Sequence, residues 1–222
     1  MKIGMITVGQ SPRVDVTEDI APLFDPGIEL LQRGALDGMT PEELRTITPE
    51  EGDYVLVSRL NNGQQVRFAE RKIIPRLQKA VTSLEQDGVS CILMLCTGKF
   101  PPELKSNVRM IYPYDLLTGL VPILSGHGHL AVILPDESQI PQLKDRWEQL
   151  SDQVTLIAAS PYGDRQAIID AGEKLKNCGA DLIIMDCIGY TSEMKDMIRT
   201  VTKKPVLLPR TLLARVAVEY SF

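Results

Sequence analysis

Short apolar runs rich in β-branched residues alternate along the chain with stretches whose apolar residues recur every three or four positions. The runs predict strands near residues 2–8, 53–58, 91–96, 108–112, 129–134, 154–159, 181–186 and 205–208. The clearest helical period spans about 65–87, where Phe68, Ile73, Ile74, Leu77, Val81 and Leu84 would share one face. Further helices are expected at 138–150, 164–178, 192–202 and 210–220. Gly88 and Gly179 fall where helix C-caps belong, because glycine enters the left-handed region at no steric cost. Apolar runs without inside–outside alternation, joined through helices, are typical of parallel sheets covered on both faces. The expected fold class is therefore α/β, with two pseudo-symmetric lobes on mainly parallel sheets.

The two lobes are suggested by an internal repeat. At an offset of 91 residues, Ile92-Leu93-Met94-Leu95-Cys96-Thr97-Gly98-Lys99 lies over Ile183-Ile184-Met185-Asp186-Cys187-Ile188-Gly189-Tyr190. Further on, Met110-Ile111-Tyr112-Pro113 matches Val206-Leu207-Leu208-Pro209, and the openings Ile3-Gly4-Met5-Ile6 and Leu130-Ala131-Val132-Ile133 also correspond. The halves are expected at 1–125 and 126–222, with the C-terminal helix free to pack on the first. The first half carries about 36 extra residues, and the polar, Pro- and Gly-punctuated stretch near 33–63 is the expected insertion. Cys96 and Cys187 thus hold equivalent positions at strand ends, where ligands gather in open α/β sheets, and are expected to face a shared cleft.

Bulk properties narrow the function. A chain of 222 residues with 44% hydrophobic content can fill a real core. With 24 Lys plus Arg against 29 Asp plus Glu, a net charge of -5 and no basic stripe, nucleic acid is not an expected partner. No apolar stretch approaches the roughly 18 to 20 residues of a membrane helix, and the N-terminal run is too short for a signal sequence, so a cytoplasmic protein is expected. The four cysteines, Cys91, Cys96, Cys178 and Cys187, contain no CxxC and read as reduced thiols, with neither metal nor cofactor expected. His127 and His129, on either side of Gly128, read as loop residues.

Two cysteines that each close an apolar strand, followed by glycine and then a helix, resemble the aspartate/glutamate/hydantoin racemase superfamily. A closer resemblance, to the AroM family, is carried by Thr7-Val8-Gly9-Gln10-Ser11-Pro12-Arg13-Val14-Asp15, by Arg33-Gly34-Ala35-Leu36-Asp37, and by Leu56-Val57-Ser58-Arg59-Leu60 with Gln65-Val66-Arg67-Phe68-Ala69. That family's name reflects association with aromatic amino-acid biosynthesis genes. Racemases of the superfamily usually place Asn or Thr after each cysteine; Thr97 fits this pattern and Ile188 departs from it. The loop Gln10-Ser11-Pro12-Arg13 also departs from the superfamily's small, glycine-rich turn.

The resemblance implies racemisation or isomerisation of a small carboxylic or amino acid without a cofactor. Such chemistry needs one base and one acid on opposite sides of the substrate carbon, and Cys96 and Cys187 are the candidate pair. A helix start after each cysteine would favour its thiolate, with Thr191-Ser192-Glu193 as a capping segment after the second. Thr97, Gly98, Gly189, Tyr190 and Thr191 are candidate substrate-binding positions beside the thiols. Thr7, Gln10 and Ser11 could offer polar groups to a carboxylate, or form a polar turn before a helix with Pro12 at its first position. Arg13 and Arg59 could neutralise an acidic ligand, or form surface ion pairs. Cys91 and Cys178 read as small core hydrophobes. The rival readings are a carboxylate-binding protein without turnover and a lyase or decarboxylase using one thiol. A homo-oligomer is possible in either case.

Overall fold

The computed structural model describes residues 1–126 and 128–220, so His127 lies outside the described residues. Two compact units emerge, one of Met1–Pro113 with the chain from Leu213 onward, the other of Tyr114–Leu212. The first unit runs β1 (Lys2–Thr7), α1 (Val14–Ile20), β2 (Glu29–Gly34), α2 (Pro41–Thr46), β3 (Val55–Arg59), β4 (Gln65–Ala69), α3 (Glu70–Gln86), β5 (Cys91–Leu95) and β6 (Arg109–Ile111). After α4 (Pro113–Ser125) come β7 (His129–Leu134), α5 (Gln139–Glu148), β8 (Gln153–Ala158), α6 (Arg165–Leu175), β9 (Leu182–Met185), α7 (Ser192–Thr202), β10 (Val206–Leu207) and α8 (Pro209–Tyr220).

The repeat read from the sequence is a repeat of topology. One sheet has the order β2-β1-β5-β6 and the other β8-β7-β9-β10, and both are parallel throughout. The central strands β1, β5, β7 and β9 are buried at nearly every position, because helices cover both faces of a parallel sheet. Each unit has its own core. In the first, Ile73, Leu77, Val81 and Leu84 of α3 pack with Ile6, Ile92 and Met94; in the second, Ile168 and Leu175 of α6 pack with Ile133, Ile183 and Ile198. Each such fully buried aliphatic side chain contributes about 1.5–3 kcal/mol of transfer free energy.

Four local expectations are corrected. Residues 65–69 do not begin the long helix. They form β4, antiparallel to β3 with Leu56 opposite Phe68, and α3 starts at Glu70. Phe68 fits a helical stripe as well as a strand face, and cross-strand pairing decides between them. Second, β2 was not anticipated, since Glu29–Gly34 is a half-buried edge strand of mixed polarity. Third, α1 begins at Val14 after Arg13, so Pro12 lies outside the helix, across a cis bond from Ser11. Fourth, His129 is not a loop residue: it opens β7, over the bounds 129–134 read for that strand, and is buried with its ring Nε2 2.9 Å from the Thr155 hydroxyl.

Candidate functional site

Both cysteines follow the carboxyl end of a central strand, and the backbone does the same thing at each sulfur. The chain turns back on itself so that the amide two residues on donates to the thiol. Gly98 N–H reaches Cys96 Sγ at 3.5 Å, and Gly189 N–H reaches Cys187 Sγ at 3.4 Å. An N–H aimed at sulfur favours the thiolate over the thiol. Cys96 and Cys187 are both buried, at 8% and 7% exposure, so the amide contact acts where water competes little.

Glycine at the second position keeps clear a space that neighbouring side chains fill. A Cβ on Gly98 would come to 2.9 Å from Leu56 Cδ2 and 3.6 Å from Cys96 Sγ. A Cβ on Gly189 would collide with the Tyr162 hydroxyl and stand 2.6 Å from its Cζ. Tyr162, on the β8–α6 connection, has its hydroxyl 3.9 Å from Cys187 Sγ.

Beyond the glycines the two halves part. Ile188–Thr191 leads directly into α7, where Thr191 caps the helix by accepting from Met194 N–H at 3.2 Å. No helix separates Cys96 from β6 among the described residues, which corrects the expectation of a helix start after each cysteine. The chain there is irregular and tied to α3. Glu85 accepts from the Ser106 hydroxyl at 2.7 Å and from Asn107 N–H at 2.5 Å, and Gln78 accepts from Lys105 N–H at 2.9 Å.

In the second unit the Cys187 turn rests on charges that the sequence did not single out. Arg210, at the start of α8, is 0% exposed and donates its Nε and Nη2 to the Ile188 carbonyl at 2.9 and 2.6 Å. Asp186, just before the cysteine, is buried and lies 3.6 Å from Arg146 Nη1. Arg146 in turn sits over the ring of Tyr114, 4.2 Å from its centroid. Tyr190 is fully buried and donates its hydroxyl to the Ala159 carbonyl at 2.7 Å. Burial, reinforced by Cys187, Asp186 and Tyr162 nearby, pushes its phenol well above the ordinary range, so it stays protonated.

The remaining candidates gather at the carboxyl edge of the first sheet. Thr7 pairs with Leu95 in register, so Thr7 and Cys96 emerge from neighbouring strands at one edge. Thr7 accepts from Gly9 N–H and from Arg13 Nη1 at 3.2 and 3.4 Å. Arg13 is 3% exposed, forks onto Asp15 at 2.8 and 2.7 Å, and reaches the Ser58 hydroxyl at 3.4 Å. Arg59 Nη1 is 3.9 Å from the same Asp15 carboxylate. The two arginines therefore share one acid and line a cavity of about 160 Å³ with Asn61. Ser11 and Gln10 are engaged within the loop. Ser11 donates its N–H and hydroxyl to Asp37 at 2.7 and 2.6 Å, and Gln10 accepts from Asn61 N–H at 2.8 Å. Asp37 also accepts from Gly34 N–H at 2.7 Å, and Leu36 N–H reaches the Gly9 carbonyl at 3.0 Å. The long sequence segments around Ser11, Asp37 and Ser58 are thus one interlocked corner around Arg13.

Thr97 is buried next to Cys96, and Ile188 occupies the matching place beside Cys187. Burial pushes the Cys91 thiol up, in keeping with a packing residue within β5. Among the described residues, no group of three or more His, Cys, Asp or Glu could hold a metal ion, and no helix is long and apolar enough to cross a membrane.

Comparison with known proteins agrees with this architecture. The allantoin racemase of Pseudomonas fluorescens superposes with a TM-score of 0.66 at 18% identity, over 99% of this chain and 90% of that one. The maleate isomerase of Pseudomonas putida S16 gives 0.66 at 13% identity, over 99% and 92%. The glutamate racemase of Francisella tularensis, solved with D-glutamate, gives 0.62 at 12% identity, over 99% and 80%. The shared fold is the racemase-like one, two α/β lobes of mainly parallel sheets. No curated protein sequence matches the chain significantly. The model of the family described as "AroM protein" matches residues 3–220, almost the whole length over which the two cysteine turns and the Arg13 corner are built, and the chain belongs to that family.

Proposed function

We propose that the protein moves a proton on a carbon next to a carboxylate, as a racemase or isomerase of a small carboxylic or amino acid, with Cys96 and Cys187 as its two proton-transfer groups. The observation that carries this reading is the repeated turn at each thiol, a sulfur at the carboxyl end of a central strand accepting the N–H of a glycine two residues on. One thiolate takes the proton and the other thiol returns one on the opposite face, so the carbon can invert without a cofactor. Backbone amides beyond the strands, and Arg59 as the more exposed of the two arginines sharing Asp15, are the groups suited to the carboxylate and to the enolate charge that develops. The similarity in fold to an allantoin racemase, a maleate isomerase and a glutamate racemase agrees with this chemistry.

Exchange with solvent tests it. A panel of amino acids, hydroxy acids and dicarboxylates in D2O, followed by NMR, should contain a compound whose α-proton signal disappears with the protein present. Cys96→Ser and Cys187→Ser should each lower that exchange by about 10²–10⁴-fold, since serine keeps the shape but lacks an accessible anion. A second reading, a lyase or decarboxylase with one working thiol, draws on the unlike surroundings of the two sulfurs; it predicts that one of these substitutions is tolerated. Ligands that raise the melting temperature but never exchange would leave a binding protein.

A further inference from the structure

We propose that Tyr162 is a positioning residue that holds Cys187 as the resting thiolate, so that Cys187 starts as the base and Cys96 as the acid. This assignment rests on the paired-thiol reading above. It starts from a difference between the two turns. At Gly189 the atom nearest the missing side chain is the Tyr162 hydroxyl oxygen, whereas at Gly98 it is a Leu56 methyl carbon. The tight fit of Tyr162 against Gly189 fixes its ring, and its hydroxyl lies 3.9 Å from Cys187 Sγ. Either atom can donate across this contact, but a phenol O–H donated to a thiolate is charge-assisted and outweighs a thiol S–H donated to the phenol oxygen, so the contact favours the thiolate.

The other groups around Cys187 act in the same direction. Gly189 N–H donates to the sulfur, and α7 begins at Ser192, four residues after Ile188. Asp186 precedes Cys187 directly and is paired with Arg146 at 3.6 Å, while Arg210 is buried against the Ile188 carbonyl. Tyr190 remains neutral with its hydroxyl on Ala159, and Asp136, beyond β7, accepts from Ser138. The Gly189 amide and the Tyr162 hydroxyl are therefore the donors at the sulfur itself, and the charge of Asp186 beside them is paired with Arg146. The Gly98 amide donates to Cys96 in the same way, and the segment after Cys96 carries no helix.

In the cycle this implies, the Cys187 thiolate takes the α-proton and becomes a thiol, and the electron pair stays on the substrate as an enolate. The Cys96 thiol then gives its proton to the opposite face and becomes the thiolate. The resting state returns when Cys187 loses its proton to water and Cys96 takes one from water, so no other reactant is consumed.

The test is the pH dependence of alkylation at each cysteine, with iodoacetamide as probe and peptide mass spectrometry as readout. In the wild-type protein the midpoint for Cys187 should lie below that for Cys96. Tyr162→Phe keeps the ring against Gly189 and removes only the hydroxyl. It should raise the Cys187 midpoint by about one pH unit, a tenfold slower reaction below the midpoint, and leave Cys96 unmoved. An unshifted Cys187 midpoint in a Tyr162→Phe protein whose Cys96 reacts normally overturns the proposal. So does a wild-type Cys96 midpoint below that of Cys187, a measurement that needs no variant to fold. Alkylation requires no turnover: loss of deuterium exchange alone sinks the function, and loss of the shift alone sinks the role of Tyr162.

Discussion

After Cys187 the chain takes four residues to enter a capped helix, over a buried arginine that grips the turn's carbonyl; after Cys96 it runs without a helix to β6, fastened by side chains of α3. The backbone contact at the two sulfurs is nevertheless alike, with donor distances of 3.4 and 3.5 Å. What the strand end and the glycine dictate is local and repeats with the sequence. What supports the turn comes from distant segments and has diverged. In the second unit that support is charged and desolvated, in the first it is apolar at Leu56 and partly solvated at Glu85. The same geometry should therefore respond differently when each support is removed.

The largest effect is expected at Arg210. Arg210→Met keeps the apolar stem but strands the buried Ile188 carbonyl, and should cost about 2–4 kcal/mol in urea unfolding at unchanged slope. A stability within a few tenths of wild type would show that the turn holds itself. Next comes the glycine pair. Gly189→Ala forces the Tyr162 ring to move and should cost about 1–3 kcal/mol, whereas Gly98→Ala meets a methyl on a flexible leucine and should cost less. Equal losses in the two variants would erase the distinction between a polar and an apolar neighbour. The packing cysteine of the first unit provides a reference. At neutral pH, Cys91, whose thiol burial pushes up, should be alkylated more slowly than Cys187, and faster labelling of Cys91 would count against a special environment at Cys187.

The smallest effect is in the first unit. Hydrogen bonds from Ser106 and Asn107 hold the Glu85 carboxyl below its usual range, so this residue adds stability above that range and the addition fades as pH falls through the depressed value. Because the carboxylate is solvent-screened, the contribution should be well under 1 kcal/mol. Glu85→Gln should flatten the acid limb of the stability–pH curve by that amount. An unchanged acid limb would mean that the segment after Cys96 is held by Phe100, Leu104 and the Gln78–Lys105 hydrogen bonds rather than by Glu85.

The sequence by itself determined the alternation of buried strands and amphipathic helices, the repeat that makes Cys96 and Cys187 equivalent, and the glycines beside them. These are short-range matters, a period along the chain or a spacing of two residues, and burial on both faces writes them into composition. The edge strand β2 and the hairpin strand β4 escaped because a half-buried or ambiguous run gains its conformation from a partner strand. Arg210, Asp186, Tyr162 and Asp37 could not be chosen from a chain with many arginines, acids and tyrosines, since each acquires its role from a residue 22 to 26 positions away or from burial that only packing creates. Tertiary structure alone decided which charges leave water, and a charge or phenol matters to a thiol only once it has done so.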